Sequence, residues 1–286
     1  GSYIKRIRSH EHSLFSEYFA NYTANHFALI QRCVRGGLQI GNFMGAGLMT
    51  MITRIARKLG LKSLPLWNDQ LPKQSPIISS YSNGVGKTYI YFPSCLHRTM
   101  GPDSVINKFM ELAPQLDVEL IIPDKIHSLC CGMPFASKGF DNAHSLINEN
   151  TIDELYSLSK GGQIPILMDM SPCSYHIQNI KYDKKNTLQF VDIIEFFHEK
   201  IENLNPYHDP SKEVVIHHTC SGQKMQQEIM MEEVVRSLAG NVVTPHVNGC
   251  CGSAGDRGLF FPELTNSASD NCANSYPEFS NKAVGV

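Results

Sequence analysis

Leu129-Cys130-Cys131-Gly132 is the stretch that decides how this chain is read, and Gly249-Cys250-Cys251-Gly252 says it a second time. Two adjacent cysteines followed by glycine, used twice with a similar approach and exit, imply an internal duplication built around thiolate chemistry. In the first copy Lys87–Pro93 (KTYIYFP) reads as a strand that ends at Ser94-Cys95. A helical segment, the apolar run Val118–Ile122 and Pro123 then lead to the cysteine pair. In the second copy Glu213–His218 (EVVIHH) reads as a strand that ends at Thr219-Cys220. A helical segment, Val242-Val243 and Pro245 follow before the pair returns. The exits agree as well, Lys138-Gly139-Phe140 in one copy and Arg257-Gly258-Leu259-Phe260 in the other.

Working outward, residues 87–210 form the first cysteine-rich repeat. Its order is strand 87–93, helix 103–114 capped by Asp103, strand 118–122, the Cys130 loop, helix 140–159, strand 164–169, a short helix after Cys173, and helix 191–202 capped by Asp192. The second repeat spans 211–286, with strand 213–217, helix 224–239, strand 241–244, the Cys250 loop and a helix beginning near Pro262. It lacks a counterpart of strand 164–169 and Cys173, so it reads as truncated. Strands that alternate with helices predict an α/β fold: two tandem pseudo-repeated units with largely parallel sheets, preceded by a helical arm. Ligands of such sheets gather at the carboxyl ends of strands. Cys95, the Cys130 pair and Cys173 each follow a strand, so all four thiols are expected at one sheet edge.

The arm is residues 1–63, with helices expected over 11–60, a break at Gly36-Gly37, and a second helix from Leu38 to Leu59 that stops at Gly60. It carries nine Lys or Arg against Glu11 and Glu17, whereas the whole chain has net charge −2. A basic amphipathic arm suits packing against a neighbouring domain or a peripheral contact with an anionic membrane surface. Residues 64–86, with Pro65, Pro72, Pro76 and several Ser and Gly, read as a linker that partly packs down through Trp67. The triplet Gly86-Lys87-Thr88 is not a phosphate-binding loop. The first glycine of that motif would fall on Tyr81, and the triplet precedes its strand.

At 286 residues, with 42% hydrophobic and 18% charged residues, the chain has the composition of a soluble globular protein. No uninterrupted apolar run reaches membrane-spanning length. Nine cysteines without a secretory signal point to metal or redox work in a reducing, cytoplasmic compartment. Site one is Cys95, Cys130, Cys131 and Cys173, a donor set that suits a four-iron four-sulfur cluster or tetrahedral zinc. Vicinal cysteines restrict one another, which favours a group with several metal atoms. Site two is Cys220, Cys250 and Cys251, with His217 or His218 as a candidate fourth ligand and zinc as an alternative to a cluster. Cys272 is another fourth-ligand candidate, but Cys272 and Cys33 read better as buried small apolar residues. His97, His176 and His246 read as hydrogen-bonding neighbours. No catalytic residue is assigned, and no nucleic-acid partner is expected.

The pattern Cys95, Cys130-Cys131-Gly132, Ser171-Pro172-Cys173, then His217 to Ser221, Gly249 to Gly258 and Pro262 to Leu264, resembles the duplicated cysteine-rich (CCG) domain of iron–sulfur oxidoreductases. Heterodisulfide reductases and anaerobic glycerol-3-phosphate dehydrogenases share that domain. The similarity extends furthest to the C-terminal part of bacterial FAD-linked D-lactate dehydrogenases, whose connector the arm resembles at Ala24 to Phe27 and Val34 to Leu38. The resemblance implies a [4Fe-4S]-type cluster and an electron-transfer role toward a quinone-type acceptor. It also implies FAD and ferredoxin-like domains upstream of residue 1 in the same polypeptide, a further cysteine beyond Val286, and a place on the inner face of the cell membrane. On this reading the chain alone does not oxidise lactate. A heterodisulfide-type thiol/disulfide redox module and a zinc-stabilised docking module are the alternatives.

Overall fold

Strand β1 (Lys87–Phe92) is buried over its last four residues without alternation. That is the pattern of a strand covered on both faces. A computed structural model, which describes residues 2–61, 64–67, 71–76, 78, 84, 86–101, 105–204, 208–244, 250–253, 256, 258 and 260–274, places it inside a parallel sheet. The side chains of residues 2–4, 6, 202–204 and 272–274 lie outside that description. The chain forms two units, one of Gly1–Ala46 with Asp69–Ile193 and one of Gly47–Asn68 with Ile194–Val286.

The first unit opens with helices α1 (Ser2–Glu11), α2 (Leu14–Asn25) and α3 (Phe27–Met44). Strand β1 and helix α5 (Cys95–Thr99) follow, the label α4 being kept for Ala46–Lys58 between them in sequence. After α6 (Val105–Leu112) come β2 (Val118–Ile121), α7 (Met133–Lys138), α8 (Asp141–Leu158), β3 (Ile166–Met168), α9 (Ser171–Gln178) and β4 (Phe190–Asp192). The four strands pair in the order β2-β1-β3-β4, all parallel. Strand β1 is therefore central, with Ile90 opposite Ile121 on one side and Ile166 on the other. Ile90, Tyr91, Leu120, Ile166 and Leu167 have no exposed surface, and neither do Ile106 of α6 or Ala143, Ile147, Ile152 and Leu155 of α8. The Tyr91 ring meets Phe109 of α6 edge-on at 5.1 Å between centroids.

The first three helices pack on this unit. Arg8 donates to Ser137 O at 2.8 Å, and His12 stacks on Phe140 at 4.0 Å. Arg35 of α3 donates to Arg98 O at 2.7 Å. Gly36 and Gly37 do not interrupt α3, contrary to expectation: a helix tolerates glycine at a modest cost, and these two keep helical backbone. The break falls instead at Gly45, whose φ of +87° is open to glycine and strained for other residues.

The second unit contains α4, α10 (Ile193–Leu204, with its first residue in unit one), β5 (Asp209–Val215), α11 (Cys220–Lys224), α12 (Glu228–Arg236), β6 (Ala239–Val243) and α13 (Pro262–Asn274). Strands β5 and β6 pair in parallel. The core of this pair is small: Ile216, Ala239 and Val242, with Val214, Met231 and Val235 against them. Trp67 is tied to α4, since Thr50 Oγ1 donates to its carbonyl at 2.9 Å and its own N–H donates to Thr53 Oγ1 at 3.2 Å. Elsewhere in the expected 64–86 linker Ser75 N–H donates to Thr99 O at 3.1 Å and Lys73 O accepts from Gly101 N–H at 2.7 Å, while residues 68–70, 77, 79–83 and 85 lie outside the described residues, as does Asp103.

The molecule is thus of the α/β class, with helices and parallel sheets and a helical N-terminal region. Several boundaries differ from expectation, and two of the differences have a local cause. Helix 191–202 begins two residues later, because Phe190–Asp192 is spent on β4, and Asp192 is a buried strand residue that accepts from Ser174 Oγ at 2.6 Å. Helix 224–239 is shorter than expected: Gln226, with φ +58°, separates α11 from α12, and Ala239 already opens β6. Among the described residues no helix is long and apolar enough to cross a membrane.

Ile166→Ala in β3 leaves a void in the core against one face of the sheet. The expected loss of unfolding free energy is about 2–5 kcal/mol, read from urea denaturation; a loss below about 1 kcal/mol would contradict the buried position given to it.

Candidate metal centre

The turn after β1 is built first. Ser94 caps α5 by accepting from His97 N–H at 3.1 Å, which makes Cys95 the first residue of that helix. Asp169, just past β3, accepts from Ser94 N–H at 2.7 Å, from Tyr91 O–H at 3.0 Å and from His97 Nδ1 at 2.8 Å. One buried carboxylate thus joins the ends of two neighbouring strands. It also pushes the Tyr91 hydroxyl up, after burial as the larger cause, and raises the His97 imidazole through their hydrogen bond.

The segment after β2 carries the pair. Thr151 of α8 holds both sides of the Cys130 peptide: its Oγ1 accepts from Cys130 N–H at 3.1 Å and donates to Cys130 O at 2.9 Å. Gly132 starts α7 with φ +82°, and a Cβ there would collide with the Asn148 amide and the His144 ring. Its N–H donates to Cys130 Sγ at 3.5 Å. After β3, Pro172 stands in the first turn of α9 and Cys173 follows it.

These three turns bring the four site-one cysteines together. Their thiols are neighbours in one row, Cys95 beside Cys130, Cys130 beside Cys131, and Cys131 beside Cys173. Cys130, Cys131 and Cys173 are buried, and Cys95 is partly exposed. All four are held above the ordinary thiol value. At Cys95 and Cys130 the hydrogen bond to the next thiol leads, and burial adds to it. At Cys131 and Cys173 the bond from the preceding thiol works downward, but burial and the neighbouring sulfurs outweigh it. Neutral thiols are therefore the stable form of this row. A metal bound here would have to displace their protons, so its affinity would weaken as pH falls.

Site two repeats the local devices in a different setting. Thr219 caps α11 by accepting from Gly222 N–H at 3.1 Å, and Cys220 opens that helix. Gly252 has φ +72°, and a Cβ there would strike the Leu264 carbonyl of α13. Cys220, Cys250 and Cys251 lie close enough to perturb one another, yet all three are exposed. Cys220 is raised, chiefly by partial desolvation, with the neighbouring Cys250 and Cys251 adding to it. Cys251 is lowered, chiefly by a hydrogen bond from Ser253. Of the candidate fourth ligands, His218 is buried with Nε2 3.5 Å from Glu232 Oε1, and His217 is half-buried. The side chain of Cys272 and all of His246 lie outside the described residues. Cys33 is exposed on α3 and so is not the buried apolar residue it was expected to be, because the face of α3 that packs down carries Phe27, Gln31, Leu38 and Gly41 instead. Among the described residues no three His, Cys, Asp or Glu side chains stand ready to hold a single metal ion.

Two features had weak sequence signals. His144 and Asn148, four residues apart on α8, meet His176, three residues past Cys173. The two imidazole Nε2 atoms are 2.9 Å apart, and Asn148 Nδ2 lies 2.6 Å from that of His144. The i, i+4 spacing on one helix was the only clue. Arg98 was the other. Its side chain has no exposed surface and donates to Ser94 O, Ile126 O and Leu129 O. Nothing in Cys-Leu-His-Arg marks that arginine as buried.

Comparison with known proteins gives one finding. The profile of the cysteine-rich CCG domain matches residues 89–178 and 214–279, together more than half of the chain. The chain belongs to the CCG cysteine-rich domain family, whose modules are metal- and redox-related. The two matched segments each contain one cysteine pair with its preceding capped cysteine. No curated protein and no solved structure matches the chain.

Burial lowers His127, His144 and His176 below the ordinary imidazole value of 6.5, His176 to about 4. The folded protein keeps them neutral, so this stability is fully present above pH 6.5 and is lost as pH falls toward 4. His176→Gln should remove roughly 2 kcal/mol of the stability difference between pH 7.5 and 4.5. Urea midpoints of both proteins at the two pH values check this; an unchanged difference contradicts it.

Proposed function

We propose that the row Cys95, Cys130, Cys131 and Cys173 holds an iron–sulfur cluster of the [4Fe-4S] type. On this reading the chain is the electron-transfer module of an FAD-dependent 2-hydroxy-acid dehydrogenase, with D-lactate as the substrate. The observation that carries the metal reading is the row itself, four cysteine thiols close enough to perturb one another at the carboxyl edge of a parallel sheet. Four thiols form the donor set of an iron–sulfur cluster. A row that includes two adjacent cysteines suits a group with several metal atoms better than one small ion. Gly132 supports the fit, since its missing side chain lets the backbone of the pair lie against α8. Membership in the CCG family supports a redox role. A cluster bound there would supply one-electron carriage. The protein's part is to hold the four sulfurs, to exclude water from three of them, and to set the charge around them.

The flavin, the ferredoxin-like domains and the quinone-type acceptor rest on the resemblance of the cysteine pattern to D-lactate dehydrogenases. So do the cytoplasmic setting and the peripheral membrane contact of the basic arm. For site two, three exposed thiols with one lowered favour a labile or exchangeable group, zinc among the candidates.

The test is metal and acid-labile sulfide content, with an absorption spectrum, of the chain purified without oxygen. The reading predicts iron and sulfide in equal amounts and a brown protein, with most of both lost in Cys131→Ser. Zinc without iron, or iron that survives Cys131→Ser unchanged, overturns it.

A further inference from the structure

Arg98 sits where the thiol row is assembled, and its surroundings are unusual for a buried cation. Its three side-chain hydrogen bonds all end on neutral backbone carbonyls: Nε on Ser94 O at 3.3 Å, Nη2 on Leu129 O at 2.7 Å, and Nη1 on Ile126 O. Ser94 precedes Cys95, and Leu129 precedes Cys130. One guanidinium therefore spans the backbone just before both cysteines. Among the described residues, the charged or chargeable groups that face it are Cys95, Cys130, Asp169, Cys173 and His127. Asp169 is the only carboxylate in that set, and it is already engaged by Ser94, Tyr91 and His97. A buried charge is costly unless it is paired, and a fork on carbonyls satisfies its donors without neutralising it. The remaining partners that can turn negative are the thiol sulfurs. As neutral thiols they offer no charge, and as metal-bound thiolates they do.

We propose that Arg98 is the positioning residue of the thiol site. Its fork clamps the helix that begins at Cys95 to the segment that ends at Cys130, and its charge is the standing counter-charge for a thiolate-bound metal group. The clamp is independent of the metal reading above; the counter-charge rests on it. With the counter-charge in place, the more negative, reduced form of a bound group is favoured, so its potential is higher than it would be without Arg98.

The experiment compares the full chain with Arg98→Lys, which keeps the charge but not the fork, and with Arg98→Met, which keeps neither. In metal-free protein the alkylation rate of each cysteine is followed by mass spectrometry with iodoacetamide. The clamp predicts that Cys130 and Cys131 react faster in both variants, by roughly tenfold or more, the scale of one lost charge-assisted hydrogen bond. Exposed Cys33 should react at the wild-type rate throughout. Rates at Cys130 and Cys131 that match wild type in Arg98→Lys overturn the clamp, and that variant decides the matter if Arg98→Met does not fold. In iron-loaded protein the midpoint potential is measured by titration with dithionite and mediators. A downward shift in Arg98→Met that Arg98→Lys largely reverses supports the counter-charge. If Arg98→Met cannot be loaded, retention of a near-wild-type midpoint in Arg98→Lys supports it, and a midpoint as far below wild type as the loss of charge would give overturns it. Wild-type protein that takes up neither iron nor zinc removes the counter-charge together with the metal reading, and the alkylation rates still decide the clamp.

Discussion

Strand β1 lies between β2 and β3, and the turn at its carboxyl end is tied in both directions. Toward β3 the tie is the Asp169 carboxylate, which takes the Ser94 N–H. Toward β2 it is the Arg98 guanidinium, which takes the carbonyls of Ile126 and Leu129. These two buried charges act on one central turn and join the segments that carry Cys95 and Cys130 to the end of β3. A parallel sheet sets strand ends side by side but leaves the turns beyond them free to diverge. Here each turn is fixed by its neighbour, so cysteines at positions 95, 130, 131 and 173 converge on one row. Packing of α8 completes the frame, with Thr151 gripping the Cys130 peptide and Asn148 filling the space beside Gly132.

The second unit shows what the local devices do without that frame. A capped cysteine after a strand and a glycine with positive φ after the pair recur at Thr219-Cys220 and Gly252. Among the described residues its sheet has two strands, and its thiols are exposed. The same sequence motif thus yields buried, proton-holding thiols in one setting and accessible ones in the other, with Cys251 lowered. Motif and burial are separate properties. The first is written in a dozen residues, and the second depends on the neighbouring strands and on charges such as Arg98.

Much of the frame was legible in the chain. The runs 87–93 and 118–122 are continuous and apolar enough to mark buried parallel strands, and they lie within a residue or two of β1 and β2. The convergence of Cys95, Cys130, Cys131 and Cys173 follows from that order and from the behaviour of parallel sheets. What was hidden is equally physical. Gly36-Gly37 looks like a break, yet glycine's freedom includes the helical region, and it is Gly45, with φ +87°, that ends α3. Strand β4 has three residues, too few for a pattern to emerge, so it was absorbed into the following helix. Cys33 was read from composition, which says that free cysteines are often buried, but helix phase turns it outward. Arg98 and Asp169 carry no motif at all, because a buried ion's place is set by residues distant in sequence.

The central claim is that one row of four thiols from three strand ends forms a single metal site. X-ray absorption at the metal edge of protein purified without oxygen tests it most directly. The account predicts an iron edge with a sulfur-only first shell and iron–iron scattering beyond it, and loss of that signal on Cys95→Ser, Cys131→Ser or Cys173→Ser alike. A first shell with nitrogen or oxygen donors, or a signal that persists when any one of these three is replaced, would contradict it.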